Sequence, residues 1–394
     1  MVIKPKNRGF ICTTSHPEGC AEVVNKEIEF AKEHRSDAGV KKVLVIGASM
    51  GYGMAARIAA AYSCGADTLG VIFDKPGTEK RTGTAGWYNT AAFEKRAHAD
   101  GKYAKTVNGD AFSREMKEQV ISIIKNDLGK VDAVVYSLAA PKRTTADGVT
   151  YSSVLKTVGE EYTNKTIDLK DNTIKEVTVE KASEKEIEDT VKVMGGEDWM
   201  EWIDALYEAD AIEKDAVTCA FSYIGPELTY PMYREGSIGK AKEHLFETSK
   251  KISEKYSGLK AYISVNKALV TQSSAAIPVV PLYISILYKI MKQKGVHEGC
   301  IEQMTRLFTD KLSKTSAKTD SDGMIRLDDL EMKDDVQKEV LEIWNSITTE
   351  NVRECADVDG YWNDFFALFG FGIDGIDYEK DTDPVVNIDS IENI

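Results

Sequence analysis

The stretch Ser222-Tyr223-Ile224-Gly225-Pro226, followed by Tyr233-Arg234-Glu235-Gly236-Ser237-Ile238-Gly239-Lys240-Ala241-Lys242, holds residue types suited to reductive chemistry. A tyrosine hydroxyl can stabilise or protonate the enolate oxygen that forms when hydride adds to the β-carbon of an enoyl thioester. A nearby ammonium makes that hydroxyl more acidic. It can also hold the hydroxyls of a nicotinamide ribose, coupling cofactor position to proton delivery. Tyr233 and Lys242 are therefore the candidate catalytic pair. Nine positions along an unbroken helix turn through about 900°, which would set the two side chains on opposite faces. Gly236 and Gly239 offer a way round this: a loop carrying Tyr233 can fold back over the start of a helix that carries Lys242.

A second segment could hold the cofactor. Val43-Leu44-Val45-Ile46-Gly47-Ala48-Ser49-Met50-Gly51-Tyr52-Gly53 reads as a buried strand running through glycines into a helix that includes Met54 to Ala61. Glycines let the backbone turn sharply and approach a pyrophosphate, whose charge meets the amides and positive end of the helix. The Gly-x3-Gly-x-Gly spacing is typical of short-chain reductases, and its place between strand and helix gives it weight that a bare glycine pattern lacks. The next strand ends in Phe73-Asp74, where a dinucleotide fold presents a carboxylate to the adenosine ribose. Asp74 would accept hydrogen bonds from a 2′-hydroxyl and repel a 2′-phosphate, favouring NADH over NADPH, while Lys75 beside it pulls the other way. Asp110-Ala111 and Leu138-Ala139 follow the third and fourth strands, where the adenine and the nicotinamide ribose would cross the carboxyl edge of the sheet.

Positions of this kind require a parallel sheet to carry them. Strands are predicted at Lys42–Ile46, Thr68–Phe73, Tyr103–Val107 and Val131–Ser137, alternating with amphipathic stretches. Ser113 can cap a helix with the apolar face Met116, Val120, Ile121, Ile124 and Leu128, ending at Gly129. The rhythm breaks at residues 142–215, an expected insertion over the substrate side. It contains a hairpin around Asp171-Asn172 and a capping box of Ser183 and Glu186. It resumes with a strand at Ala216–Tyr223, a helix from about Ile238 to Lys255 and a strand at Ala261–Val265. Beyond Val270 helices are expected near Leu282–Lys292, Glu298–Leu312 and Asp334–Ile347, around a turn-rich piece at Thr319–Leu330. Ile277–Leu287 fits one apolar wall of an acyl channel as well as a plain core helix. Without repeats or flexible linkers, the reading is α/β: one Rossmann-type catalytic domain over 1–394, an enlarged short-chain dehydrogenase/reductase-like fold with insertions.

Composition sets outer bounds. The 394 residues are 42% hydrophobic and 29% charged, ordinary for a globular protein. With 50 basic and 64 acidic residues the net charge is −14, which works against a broad nucleic-acid or anionic-membrane surface. Cys12, Cys20, Cys64, Cys219, Cys300 and Cys355 are dispersed, as reduced thiols in a cytoplasm would be. The N-terminus lacks the features of a secretion signal. The longest apolar stretch, Ala275–Tyr288, is interrupted by Pro278 and Pro281 and is shorter than the ~18 to 20 residues of a membrane helix. The five histidines, at 16, 34, 98, 244 and 297, have no metal-ligand spacing, so no metal is expected. Trp87, in the turn-like Gly86-Trp87-Tyr88-Asn89, and Trp199 and Trp202 are expected in the core.

Taken in order along nearly the whole chain, these motifs resemble the single-chain NADH-dependent trans-2-enoyl-CoA reductases and their bacterial enoyl-acyl-carrier-protein reductase relatives. To the segments above they add His16-Pro17-Glu18-Gly19-Cys20, Tyr136-Ser137-Leu138-Ala139, Val193-Met194-Gly195-Gly196-Glu197-Asp198-Trp199, Ser264-Val265-Asn266-Lys267-Ala268-Leu269-Val270-Thr271 and His297-Glu298. The resemblance implies Tyr233 as proton donor, Lys242 as cofactor-binding assistant and Tyr223 as a contact of the thioester carbonyl. It also implies NADH contacts from Gly47, Ala48, Ser49, Met50, Gly51, Tyr52, Phe73, Asp74, Asp110, Ala111, Leu138, Ala139, Leu269, Val270 and Thr271. The family more often has glutamate at Asp74. The expected reaction is NADH-dependent reduction of a trans-2-enoyl-CoA, without flavin, by a monomer or homodimer. Alternatives are the same chemistry on an acyl-carrier-protein thioester, a short-chain ketone reductase, or a non-enzymatic NADH sensor.

Overall fold

The computed structural model describes all residues except 9–10, 272–273 and 275–276. Its centre is an eight-stranded parallel sheet of β1 (Lys42–Ile46), β2 (Asp67–Ile72), β3 (Ala104–Asn108), β4 (Val131–Tyr136), β5 (Ile212–Ser222), β6 (Lys260–Val265), β7 (Ile325–Arg326) and β8 (Ile391–Asn393), in the order β7-β6-β5-β4-β1-β2-β3-β8. Such a sheet is covered on both faces, so its central strands carry apolar runs such as Val43–Ile46 and Ala133–Tyr136. Alternation along β1 sends Val43 and Val45 into one core and Leu44 and Ile46 into the other.

Helices α1 (Pro17–Glu33), α2 (Gly51–Tyr62) and α3 (Ala85–Ala99) bring apolar side chains to the first face, and α4 (Arg114–Ile123) to the second. The insertion supplies α5 (Glu184–Met194) and α6 (Glu197–Glu208); Trp199 and Trp202 of α6 and Leu245 and Ile252 of α7 (Ser237–Lys255) complete the second core. A third core gathers α8 (Val280–Gln293), α10 (Asp334–Ser346) and α12 (Val358–Ala367), whereas α9 (Cys300–Arg306) packs on α1 and α2; a short α11 (Val352–Cys355) precedes α12. Trp87 is buried, but within the first turn of α3 and not in a free-standing turn.

Several elements depart from expectation. The helix capped by Ser113, whose hydroxyl accepts from the Met116 amide at 3.1 Å, ends in a π turn at Ile124–Leu128 before Gly129. The insertion holds two hairpins, Lys142–Thr144 with Thr150–Ser152 and Tyr162–Asp168 with Thr173–Val179; Asn172 in the second turn takes φ 60. The Ser183–Glu186 capping box forms as expected. β5 begins earlier than expected, at Ile212; the polar run Glu213-Lys214-Asp215 masks that start in the sequence, and an irregularity between Ile212 and Val217 interrupts the pairing with β4. Among the described residues no helix is long and apolar enough to cross a membrane.

Candidate active site

Every residue singled out from sequence follows the carboxyl end of a sheet strand, apart from Tyr233 and Lys242, which come from the loop after β5 and from α7. At the end of β1, Gly47 takes φ +87, and a Cβ there would lie 2.2 Å from the Ser137 carbonyl beyond β4. Only glycine lets these two strand ends approach so closely. Ala48 is buried, while Ser49, Met50, Gly51 and Tyr52 are partly exposed. Met50 precedes α2 without a side-chain cap, so the amides of the first turn are left for a ligand, as an anion site requires. The Tyr52 hydroxyl donates to the Lys267 carbonyl at 2.7 Å and accepts from Gln303 at 2.9 Å, joining this turn to the chain after β6.

Asp74 is held on three sides. Its amide donates to Asn108 Oδ1 at 2.8 Å, and Asn108 Nδ2 returns a bond to its carbonyl at 3.1 Å. Thr84 Oγ1 donates to Oδ1 at 2.7 Å, whereas Oδ2 is buried with no partner among the described residues. Burial pushes the carboxyl above the ordinary aspartate range, and the neighbouring Ser49 and Thr84 hydroxyls pull it back in part. An orphaned carboxylate oxygen beside a glycine turn suits a ribose hydroxyl donor. Gly86 has a matching reason: a Cβ in this first turn of α3 would stand 2.4 Å from Oδ2. Phe73, at 79% exposure, and Asp110 face solvent, and Lys75 is exposed. Ala111 is buried, its carbonyl accepting from Trp202 Nε1 at 3.1 Å; Leu138 is partly exposed and Ala139 exposed. Leu269 and Val270 are buried, Val270 donating its amide to the Tyr288 hydroxyl at 3.0 Å, and Thr271 shares reciprocal bonds with Ser274 at 2.8 and 3.0 Å.

The tyrosines and the lysine converge on the end of β5. The loop after Tyr223 turns back through Gly225, at φ +72, and the short helical turn Glu227–Thr229, and this sets the Tyr233 ring edge-on to Tyr223. Lys242, in the second turn of α7, donates to the Phe221 carbonyl at 3.0 Å, two residues before Tyr223. Burial pulls its ammonium down to about 8. Among the described residues no side chain or carbonyl hydrogen-bonds the Tyr233 hydroxyl, which leaves its proton available. Burial pushes the Tyr233 phenol up, and Glu331 and Tyr361 push the same way. The Tyr223 hydroxyl, expected at a substrate carbonyl, instead donates to Glu331 at 3.1 Å.

Two participants carried no signal of their own in the sequence. Glu331 accepts from Tyr283 at 2.6 Å, besides Tyr223, and from the Ala268 amide at 2.7 Å. Lys267, inside a segment noted only for its resemblance, is buried and donates to the Ala268 carbonyl at 2.9 Å. The insertion closes over this side. Tyr162 donates to the Leu228 carbonyl at 3.1 Å, Thr166 accepts from the Val279 amide at 3.3 Å, and Val154 and Lys156 hydrogen-bond Ser237 at the start of α7.

Three family models match the chain: the NAD(P)H binding domain of trans-2-enoyl-CoA reductase over residues 2–79, the trans-2-enoyl-CoA reductase catalytic region over 81–313, and an enoyl reductase FAD binding domain over 319–382. The chain is 54% identical to a trans-2-enoyl-CoA reductase [NADH] of Ruminiclostridium cellulolyticum, across 99% of this chain and 100% of that protein. It is 55% identical to an enoyl-[acyl-carrier-protein] reductase [NADH] of Flavobacterium johnsoniae, across 100% of both. The crystal structure of Treponema denticola trans-2-enoyl-CoA reductase in complex with NAD matches with a TM-score of 0.95 at 46% identity, covering 98% of this chain and 100% of that one.

Proposed function

Since the chain belongs to the trans-2-enoyl-CoA reductase family, we propose that it reduces a trans-2-enoyl-CoA to the acyl-CoA at the carboxyl edge of its sheet, with Tyr233 and Lys242 as the catalytic pair. NADH, when bound, supplies the hydride that adds to the β-carbon. Gly47 to Tyr52 and the start of α2 receive the pyrophosphate, Asp74 the adenosine ribose, and Asp110, Ala111, Leu138, Ala139 and Leu269 to Thr271 line the remaining path, with Phe73 beside the adenosine. Lys242 gives up its bond to Phe221 to hold the nicotinamide ribose. Tyr233, raised by burial and so a phenol at neutral pH, hydrogen-bonds the developing enolate oxygen and can deliver its proton. Tyr223 sits beside it as a second contact of the thioester through its ring, its hydroxyl being given to Glu331. The 142–215 insertion and α8 enclose the acyl chain.

The observation that carries this reading is the half-buried Tyr233, whose hydroxyl has no hydrogen-bond partner among the described residues, edge-on to Tyr223 beside a glycine turn with uncapped amides. Among the described residues of 319–382 no strand runs through a glycine turn into a helix, the arrangement that would cradle a flavin dinucleotide's pyrophosphate. β7 has two residues, and the α10 and α12 side chains Val336, Val340, Trp344, Tyr361 and Phe365 are packed into the third core. No step is therefore assigned to a flavin. Dispersed, unpaired cysteines suit a cytoplasmic enzyme. The enoyl-[acyl-carrier-protein] reductase name of an equally similar relative favours a second reading, the same chemistry on a carrier-protein thioester. Loss of NADH absorbance with crotonyl-CoA and with crotonyl-acyl-carrier protein separates them. Faster turnover on the CoA ester supports the first reading, faster turnover on the carrier supports the second, and inactivity with both overturns the reductase reading.

A further inference from the structure

Glu331 lies in the turn after β7, within the segment that the FAD-domain model matches, and far in sequence from Tyr233 and Lys242. It is 0% exposed. Three hydrogen bonds reach its carboxylate from three walls of the site: Oε1 accepts from Tyr283 on α8 at 2.6 Å and from Tyr223 at the end of β5 at 3.1 Å, and Oε2 accepts from the Ala268 amide after β6 at 2.7 Å. Burial pushes its carboxyl above the ordinary glutamate range and Lys267, acting through space, pulls it back, while the Lys267 ammonium itself donates a hydrogen bond to the Ala268 carbonyl. Gln337 of α10 donates to the Tyr283 hydroxyl at 3.2 Å and to the Glu331 carbonyl at 2.7 Å, bracing the same cluster. A fully buried carboxylate without a direct ion pair is costly, and apolar packing would suffice if its task were only to fill space.

We propose that Glu331 is a positioning residue for the reduction: it accepts the Tyr223 hydrogen bond, fixes the ring that stands edge-on to Tyr233, and leaves Tyr233 as the phenol free to donate to substrate. The proposal rests on Tyr233 being the donor. A phenol has one O–H, so Tyr223 cannot give its proton to Glu331 and to a thioester oxygen at once. While Glu331 is ionised, Tyr223 offers the cleft only lone pairs and ring edge. The division of labour between two neighbouring tyrosines then comes from a residue that touches neither substrate nor cofactor. The same carboxylate ties α8 to the backbone at Ala268, next to Leu269 to Thr271, so the acyl wall and the cofactor side keep a fixed spacing around Tyr223.

The test is a double-mutant cycle of Glu331→Gln and Tyr223→Phe, read as kcat and KM for crotonyl-CoA, with NADH affinity by fluorescence titration. Glu331→Gln keeps the side chain's volume but places an amide donor against either the tyrosines or the Ala268 amide. The expected result is a loss of about tenfold in kcat, with NADH affinity within about twofold of the parent, shrinking to under about threefold in the Tyr223→Phe background. An equal loss in both backgrounds, or no loss in either, overturns the proposal. If Glu331→Gln does not fold, Tyr283→Phe removes one of the three hydrogen bonds and leaves the charge. A kcat loss of a few fold that vanishes in Tyr223→Phe supports the proposal, and one that persists overturns it. Full activity of Tyr233→Phe would remove the donor reading instead, and that result comes from a variant outside the cycle.

Discussion

The rings of Tyr223 and Tyr233 meet edge to face, with centroids 4.6 Å apart and planes at 77°. Nine residues of chain separate them, and the tight return at Gly225 brings them together: a Cβ there would lie 2.5 Å from Thr229 Oγ1 and 2.6 Å from the Tyr223 hydroxyl. One phenol is engaged by protein and the other is open, so their removal should have unlike consequences.

Tyr233→Phe should lower kcat for crotonyl-CoA by about 10²-fold or more, the usual scale for a lost general acid, while NADH still binds. Absorbance assays and fluorescence titration read the two quantities separately. Lost NADH binding with the chemistry otherwise intact would make Tyr233 a cofactor contact and not the donor.

Lys242 predicts a pH dependence. Burial holds its ammonium near about 8 in the free protein, below the ordinary lysine value, so it is charged below that pH and neutral above it. A ribose-holding ammonium needs its proton. Affinity for NADH should therefore be greatest below about pH 8 and fall as pH rises through it, with bound cofactor moving the inflection upward by linkage. Lys242→Met should weaken binding across the range and abolish the inflection. An inflection of unchanged size in that variant would assign it to another group.

Asp74 predicts cofactor choice. Thr84 and Asn108 hold it with one carboxylate oxygen unpaired, a geometry that accepts a 2′-hydroxyl and opposes a 2′-phosphate. NADH should be preferred to NADPH by at least about tenfold in kcat/KM, and Asp74→Ala should narrow the gap chiefly by weakening NADH, since each 1.4 kcal/mol corresponds to a factor of ten. Equal use of both cofactors by the parent would mean that exposed Lys75 outweighs the carboxylate.

The parts of the fold that could be read in advance are those where local pattern and burial agree. β1 is an unbroken Val-Leu-Val-Ile run because both of its faces are covered, and the Ser183–Glu186 cap needs only residues three apart. β8 was hidden because it is a three-residue edge strand, Ile391-Glu392-Asn393, recruited by pairing with β3 and carrying no alternation of its own. The start of α3 looked like a turn since Gly86 serves the Asp74 carboxylate and not the helix. The backbone shape of the glycine turn and of the loop-to-helix Tyr233–Lys242 segment was readable because glycines set it within short stretches. Glu331 was not, since an isolated acid between Leu330 and Met332 gains its meaning only when three distant strand and helix ends meet around it.

The cofactor half of the sheet also rests on a buried ion pair, Arg57 of α2 with Glu94 of α3, at 3.3 Å and with side-chain exposures of 0% and 2%. Arg57 spends its remaining donors on Thr68, Thr106 and the Lys105 carbonyl, and its guanidinium lies 4.6 Å from the centroid of the Phe93 ring. Glu94 also accepts from Thr106 and Ser390, which links the chain just before β8 to the interior. Removing one partner leaves the other charge buried and uncompensated, whereas replacing both with apolar side chains removes the desolvation cost along with the attraction. Glu94→Ala should therefore lose about 3–5 kcal/mol in chemical denaturation, and Arg57→Met combined with Glu94→Leu should lose much less than either single change. A double variant as unstable as the sum of its parts would show that the hydrogen bonds to Thr68, Thr106 and Ser390, and not the charge pairing, hold α2, α3 and the end of the chain against the sheet.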